Sequence, residues 1–173
     1  DVTRNYIAGG FYIFGSAYER TIHYAISNNI FVNHASSGFF CSHFENYYGA
    51  SSFRFINNVI YNCNIGFDSY KSRNYEVHNS IFWGNKTDFN FSDKHVGITV
   101  EFNDTEKGVP VKSGVTAGNN LTVDPEFVDS AKGDFGLASD SPLVDAGDPS
   151  AAYYDPYDKV KYPTPDPAST PAL

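Results

Sequence analysis

The chain has 173 residues, of which 41% are apolar and 17% aromatic, so it is long and apolar enough to bury one core. Its net charge of −8 and its lack of a Lys/Arg run argue against nucleic acid as a partner. No apolar stretch approaches the roughly 18 residues of a membrane span. The chain has no Met and begins at Asp1, which predicts a processed or excised piece of a longer protein.

A motif with Asn two residues before Ile recurs from the start of the chain, at intervals of about 20 to 30 residues. The segments between its copies are rich in Ile, Val, Phe and Tyr at alternate positions, which predicts short strands with no room for a helix. Stacked coils of this kind form a parallel β-helix, which we predict over residues 1–123. A β-sandwich with unrelated turns is the alternative, and a left-handed β-helix is disfavoured because no six-residue period is visible.

The recurring Asn is predicted to lie at a turn between strands, since Asn tolerates the left-handed backbone conformation. Its amide both donates and accepts hydrogen bonds, so equivalent Asn residues in successive coils can bond along the stack. We predict such a ladder, with a spacing of about 4.8 Å. Its predicted members are Asn5, Asn28, Asn58 and Asn79.

A second motif, Gly or Asp followed by Phe, marks the third strand of each coil. Strand alternation directs the Phe inward and the next residue outward. The predicted inward residues are Phe11, Phe39, Phe67 and Phe89. The predicted outward residues are Tyr12, Phe40, Asp68 and Asn90, and then, two residues further on, Phe14, Ser42, Tyr70 and Ser92.

Exposed aromatic residues on one face indicate binding, because ring faces stack on sugar rings. The predicted substrate-binding residues are Tyr12, Phe14, Phe40, Asp68 and Tyr70. Lys71 and Arg73 follow the third of these strands and are the candidate catalytic residues, as base and uronate clamp. Each prediction has an open alternative. In the alternative to binding, the connections at 15–24 and 43–52 cover the rings. In the alternative to catalysis, Lys71 and Arg73 are solvated surface charges.

The remaining chemistry of the chain is sparse. Cys41 and Cys63 are either two buried thiols or a disulfide. The histidines show no metal-ligand spacing and no paired Asp-Asp motif occurs. The acidic residues after position 118 suit either calcium or turn capping, and capping explains them more simply. Residues 124–150 are predicted to form an end segment and residues 151–173 a Pro-rich irregular tail.

The end segment resembles the C-terminal end of bacterial secreted right-handed β-helix proteins of the pectate-lyase-like superfamily. The residues that carry this resemblance are Asp124-Pro125, Phe127-Val128-Asp129, Gly133-Asp134-Phe135, Leu137, Ser141-Pro142 and Asp145-Ala146-Gly147. The resemblance implies a right-handed parallel β-helix. It also implies a secreted or cell-surface location. Because the chain stops before the closing segment of such proteins, we expect it to be incomplete at both ends, with the core under Ile7 and Phe11 open or covered by another chain.

The coils over about residues 1–92 most resemble polysaccharide lyase family nine, the pectate lyases. Those enzymes remove the C5 proton of a uronate with a lysine, while calcium held by aspartates acidifies that proton. This chain has Gly38-Phe39-Phe40 where the family has Gly-Phe-Lys, and Gly9-Gly10-Phe11-Tyr12 in place of its Gly-Trp-Asp strand. The family's base and calcium cluster therefore have no counterpart in this register, and the metal ligands are left unassigned.

Two functions of different classes follow from the sequence. The first is a polysaccharide lyase-like protein that acts on or binds an acidic, uronate-containing polysaccharide. The second is a non-catalytic β-helix that binds glycans or serves as a cell-surface adhesin. The feature that distinguishes these two functions is a base together with a carboxylate cluster on one face, which only the first function requires. In both, the expected partners are a polysaccharide and, at the open ends, the rest of the parent chain or another β-helix chain.

Overall fold

The chain is all-β, with three parallel sheets, in a computed structural model that describes residues 2–14, 23–42 and 52–148. The first sheet contains β1 (Val2–Thr3), β4 (His23–Ser27), β7 (Ser52–Ile56), β10 (Arg73–His78), β13 (Val96–Glu101) and β15 (Val115–Gly118). The second contains β2 (Tyr6–Ala8), β5 (Ile30–Val32), β8 (Val59–Tyr61), β11 (Ile81–Trp83) and β14 (Asp104–Thr105). The third contains β3 (Phe11–Phe14), β6 (Ser37–Ser42), β9 (Ile65–Tyr70) and β12 (Thr87–Ser92).

From β1 to β14 the chain visits the three sheets in a fixed rotation: β1, β2 and β3 belong to the first, second and third sheets, and β4 returns to the first. Each strand pairs in parallel with the strand one coil earlier, as β4 does with β1 and β7 with β4. This cyclic order of parallel strands is compatible with the predicted parallel β-helix. Among the described residues the only helical element is a single 3₁₀ turn (Ser130–Lys132), so none can cross a membrane as a helix.

The core lies between the three sheets and consists of stacked aromatic and aliphatic side chains. Phe39 and Phe67 are fully buried and their ring centres are 5.1 Å apart, while Phe89 follows Phe67 at 5.9 Å. Phe11 is partly buried and stacks on Phe39 at 6.1 Å. The predicted inward column of Phe residues is therefore confirmed. Ile7 packs beside it, and whether another chain covers this end stays a prediction.

The Asn ladder is present, but its members differ from the prediction. Its rungs lie between the first and second sheets and are Asn5, Asn29, Asn58, Ser80, Asn103 and Asn120. Asn29 shows the pattern, because its side-chain amide donates to Asn58 Oδ1 at 3.1 Å and to the backbone oxygen of Val2 at 2.9 Å. Strand register fixes this assignment, since Ile30 pairs with Tyr6 and with Val59.

Asn28 and Asn79 were wrongly placed in the ladder, since each lies one residue before a rung. They occupy the left-handed position of the same turn, with φ of 57° and 48°. Asn57 stands in this column too, at φ 56°. The prediction assigned the left-handed turn and the stacked amide to one residue, whereas the structure divides them between two consecutive residues.

The end segment packs on the outer face of the second sheet. It begins with an antiparallel pair, β16 (Phe127–Asp129) and β17 (Asp134–Leu137). Phe135 lies 5.1 Å from the Tyr61 ring, and Leu143 is fully buried against Ile81. This contact explains why β8 and β11 are apolar at every position: the middle residue faces the core and its neighbours face the end segment. The predicted tail at 151–173 lies outside the described residues.

Candidate functional site

The outer face of the third sheet carries the predicted aromatic row. Strand register places Tyr12 beside Phe40, Phe40 beside Asp68, and Asp68 beside Asn90, as predicted. The rings of Tyr12 and Phe40 are 5.8 Å apart, and Tyr12 is 46% exposed. Tyr12 is therefore open to solvent, and the half-buried ring of Phe40 lies beside it on the next coil.

Asp68 continues this row, and its carboxylate is fixed by its neighbours. It accepts hydrogen bonds from Ser37 Oγ at 2.9 Å and from the Asn90 amide at 2.8 Å. These contacts tie three consecutive coils together. Asp68 therefore has a structural task in addition to any contact with a ligand.

The second predicted row is in register but is not uniformly exposed. Phe14 pairs with Ser42, and Ser42 with Tyr70. Ser42 is only 1% exposed, so this outward-facing position is not open to solvent. The side chain of Phe14 and the connections at 15–22 and 43–51 lie outside the described residues, so the covering of the rings stays a prediction.

The two candidate catalytic residues lie at the turn from the third sheet to the first. Lys71 follows β9 with a left-handed φ of 47°, and its Nζ is 3.6 Å from Asp93 Oδ2 and 5.3 Å from the centre of the Tyr70 ring. Arg73 is exposed and begins β10 in the first sheet. The catalytic roles of Lys71 and Arg73 stay a prediction, and the nearest carboxylate to Lys71 is that of Asp93.

A polar groove borders the third sheet at the corner where the second-sheet strands end, and the sequence analysis missed it. It is lined by Asn33, His34, Ala35, Asn62, Cys63, Asn64, Gly84, Asn85, Lys86 and Lys107. The Asn62 amide donates to Asn33 Oδ1 at 2.7 Å. The ring of His34 meets that of Tyr12 nearly edge-on at 6.2 Å, so the groove is continuous with the aromatic row. The available signal was the Asn that follows the second strand in "FVN" and "IYN".

Two buried carboxyl groups lie behind this groove. Asp88 accepts bonds from the backbone N–H of Lys107 and from the Asn85 amide, and Asp104 accepts one from the backbone N–H of Val123. Burial raises the pKa of Asp88 to about 6 and that of Asp104 to about 6. Nearby acids add to both shifts: Glu106 raises the pKa of Asp88, and Asp88 and Asp124 raise the pKa of Asp104.

A separate ionisable cluster lies on the outer face of the first sheet. The two ring nitrogens of His78 are each 4.0 Å from a carboxylate, one of Glu101 and one of Asp148. Burial lowers the pKa of His78, although these carboxylates act against the shift. With a side chain only 4% exposed, His78 connects the end segment to the first sheet and offers no open surface to a substrate.

The acidic residues of the end segment take part in turns. Asp124 accepts from the backbone N–H of Glu126, Asp129 from that of Lys132, and Asp134 from that of Gly136. These contacts support the capping interpretation for those residues. Within the described part of the chain, no group of three or more His, Cys, Asp or Glu side chains is arranged to hold a metal ion.

Both cysteines are free and buried, which confirms the thiol alternative over the disulfide. Burial raises the pKa of Cys41 to about 12, so this thiol is inert near neutral pH. Cys63 contributes its sulfur to the corner beneath the polar groove.

The fold and the exposed row define an all-β protein with parallel stacked strands and an aromatic outer face. Comparison of the chain with models of known protein families, with curated proteins and with solved structures finds no match.

Proposed function

We propose that this chain is a right-handed parallel β-helix that binds an extended acidic polysaccharide across the outer face of its third sheet. The right-handed winding is supported by the strong preference of crossover connections between parallel strands for that hand. The proposal also includes a secreted or cell-surface location, which suits a protein whose ligand is a polysaccharide.

The observation that carries the proposal is the adjacent pair of Tyr12 and Phe40 on neighbouring coils. Parallel strands repeat about every 4.8 Å, so one outward position per coil forms a straight row. A linear sugar chain that crosses the row meets several side chains at once. The rings cover its C–H surfaces, while Asp68 and Asn90 supply polar atoms for its hydroxyl groups.

Binding without catalysis fits the described geometry better than β-elimination does. Lys71 is paired with Asp93, and Arg73 lies on another sheet. Lyase activity is a proposal distinct from binding and needs its own test. That test follows the ultraviolet absorbance of unsaturated products on a panel of uronate polysaccharides, with and without calcium.

Affinity electrophoresis on a panel of neutral and uronate polysaccharides tests the binding proposal. The double variant Tyr12→Ala, Phe40→Ala should lose about tenfold in affinity, with an unchanged melting temperature. Tyr6→Ala is the matched control, because Tyr6 is 55% exposed and lies on the second sheet.

Two results would contradict the proposal. One is the absence of binding by the unmodified chain to every polysaccharide of the panel. The other is a large fall in melting temperature of the double variant, which would make these rings part of a covered core.

A further inference from the structure

We propose that the polar groove beside the third sheet holds an anionic group of the bound sugar, with Lys86 as its main contact. The inference rests on the proposed function and moves the anion-binding position from Lys71 and Arg73 to the opposite border of the sheet. The ligand class is a sugar that carries a carboxylate or a sulfate.

The groove is built from equivalent positions of successive coils. Val32 pairs with Tyr61 and Tyr61 with Trp83, so the residues that follow them, Asn33, Asn62 and Gly84, stand in one column. All three have left-handed backbones, with φ of 58°, 54° and 66°. The chain turns sharply there.

The amide side chains of this column are exposed and already ordered by the bond from Asn62 to Asn33. Ordered amides offer donors and acceptors to sugar hydroxyl groups with little further loss of side-chain freedom.

Lys86 is the cation of the groove whose charge is not compensated. Its side chain is exposed, and within the described part of the chain its ammonium has no hydrogen bond or ion pair. Lys107, the other lysine of the groove, is paired with Glu106, which also accepts a bond from the backbone N–H of Gly84. An incoming anion therefore meets one unpaired positive charge beside ordered amides.

The groove and the aromatic row form one continuous surface. His34 lines the groove and also touches Tyr12. A sugar stacked on Tyr12 therefore places its neighbour in the polymer against His34 and the amides. The charge of Lys86 lies on the side of the sheet where the strands begin, whereas Lys71 lies where they end and is already paired with Asp93.

The experiment measures the affinity of four proteins for three polymers. The proteins are the unmodified chain, Lys86→Gln, Lys86→Arg and Lys132→Gln. The polymers are polygalacturonate, its carboxyl-reduced neutral form, and dextran sulfate. Lys132→Gln is the matched control, since it removes one exposed lysine charge on the end segment.

The expected result is that Lys86→Gln weakens binding to an anionic polymer about tenfold and lowers its salt dependence, while binding to the neutral polymer is unchanged. Lys86→Arg should restore the affinity, and Lys132→Gln should have no effect. Loss on polygalacturonate assigns a carboxylate as the ligand, and loss on dextran sulfate assigns a sulfate.

The inference is overturned if the unmodified chain binds anionic polymers and Lys86→Gln binds them equally well. It is also overturned if the neutral and the charged polymers bind with the same affinity, a result that leaves polysaccharide binding across the third sheet intact but removes the preference for an acidic one. Absence of binding to all three polymers overturns the proposed function and this inference together, so the two failures are distinguishable.

Discussion

At the scale of single residues, the turns between the first and second sheets divide two tasks between neighbours. The first residue of each turn adopts a left-handed backbone, as Asn28 and Asn57 do. The second stacks its side chain along the coils, as Asn29 and Asn58 do. Asn suits both tasks, because it tolerates positive φ and because its amide carries both donors and an acceptor.

Asn58 is the rung with the clearest expected effect on stability. It is fully buried, accepts bonds from Asn29 and donates to the backbone oxygens of Ile26 and Ile56. Asn58→Leu leaves these groups without partners and should lower the free energy of unfolding by on the order of 3 kcal/mol, measured by urea denaturation. Asn64→Leu, at an exposed position, is the control. Equal midpoints for both variants would show that the ladder does not stabilise the coils.

Asp88 and Asp104 make stability depend on pH. Their folded-state pKa values of about 6 lie above the ordinary value near 4, so the folded state binds protons more tightly than the unfolded one. Stability from these groups is therefore full below about pH 4 and is lost as the pH rises through about 6.

The buried histidines His78 and His95 act in the opposite direction, since burial lowers the pKa of each. The variant Asp104→Asn separates the two effects. Between about pH 7 and pH 5, the stability of the unmodified chain relative to this variant should rise by about 1 kcal/mol, measured by denaturation at each pH. A pH-independent difference would mean that Asp104 titrates normally in the folded chain.

At the scale of elements, the third-sheet strands begin at a crowded corner that requires small residues. A Cβ on Gly66 would lie 2.8 Å from the backbone oxygen of Asp88, and one on Gly38 would lie 2.9 Å from Ile60 Cγ2. Gly therefore recurs before the inward Phe because a side chain at Gly38 or Gly66 would collide with the neighbouring coil. Asp88 takes this position in the fourth strand, where its carboxylate bonds to Asn85 and to a backbone N–H.

Gly66→Ala should destabilise the chain by about 1–3 kcal/mol, because the added methyl group meets backbone that cannot move without breaking the pairing of β9 with β12. Gly118→Ala is the matched control, since its new Cβ would meet only the flexible Glu101 side chain, at 3.2 Å. Thermal unfolding measures the melting temperature of both variants. An unchanged melting temperature of Gly66→Ala would refute the close approach of Gly66 to the backbone of Asp88.

At the scale of the whole molecule, the end segment and the coils form one packed structure. Leu143 is fully buried against Ile81, and the backbone N–H of Asp148 donates to Asn79 Oδ1 at 2.8 Å. The segment thereby covers the apolar outer face of the second sheet, which would otherwise expose side chains such as Ile81 and Val59 to water.

Leu143→Ala should lower the stability of the coils as well as that of the end segment, by about 2–5 kcal/mol. Val144→Ala is the control, because Val144 is 43% exposed. Hydrogen exchange of the second-sheet strands provides the measurement, and faster exchange in β8 and β11 is expected for Leu143→Ala alone. Unchanged exchange there would show that the end segment folds as an independent unit.

The sequence by itself determined the strands, their parallel stacking and the direction of the third-strand side chains. Period-two alternation and the repeated Gly-Phe step are local signals, and the register of Phe11, Phe39, Phe67 and Phe89 follows from them. The buried state of Cys41 and Cys63 was likewise one of two alternatives drawn from the sequence.

Only the tertiary structure decided which Asn of each pair forms the ladder, because two adjacent Asn residues look alike until strand register fixes one of them. It also decided that the chain leaves the third sheet between Lys71 and Arg73, since the left-handed turn at Lys71 directs the next strand into the first sheet. The groove around Lys86 draws its residues from four coils that are distant in sequence. Such neighbours arise from the stacking of coils, which no local pattern records.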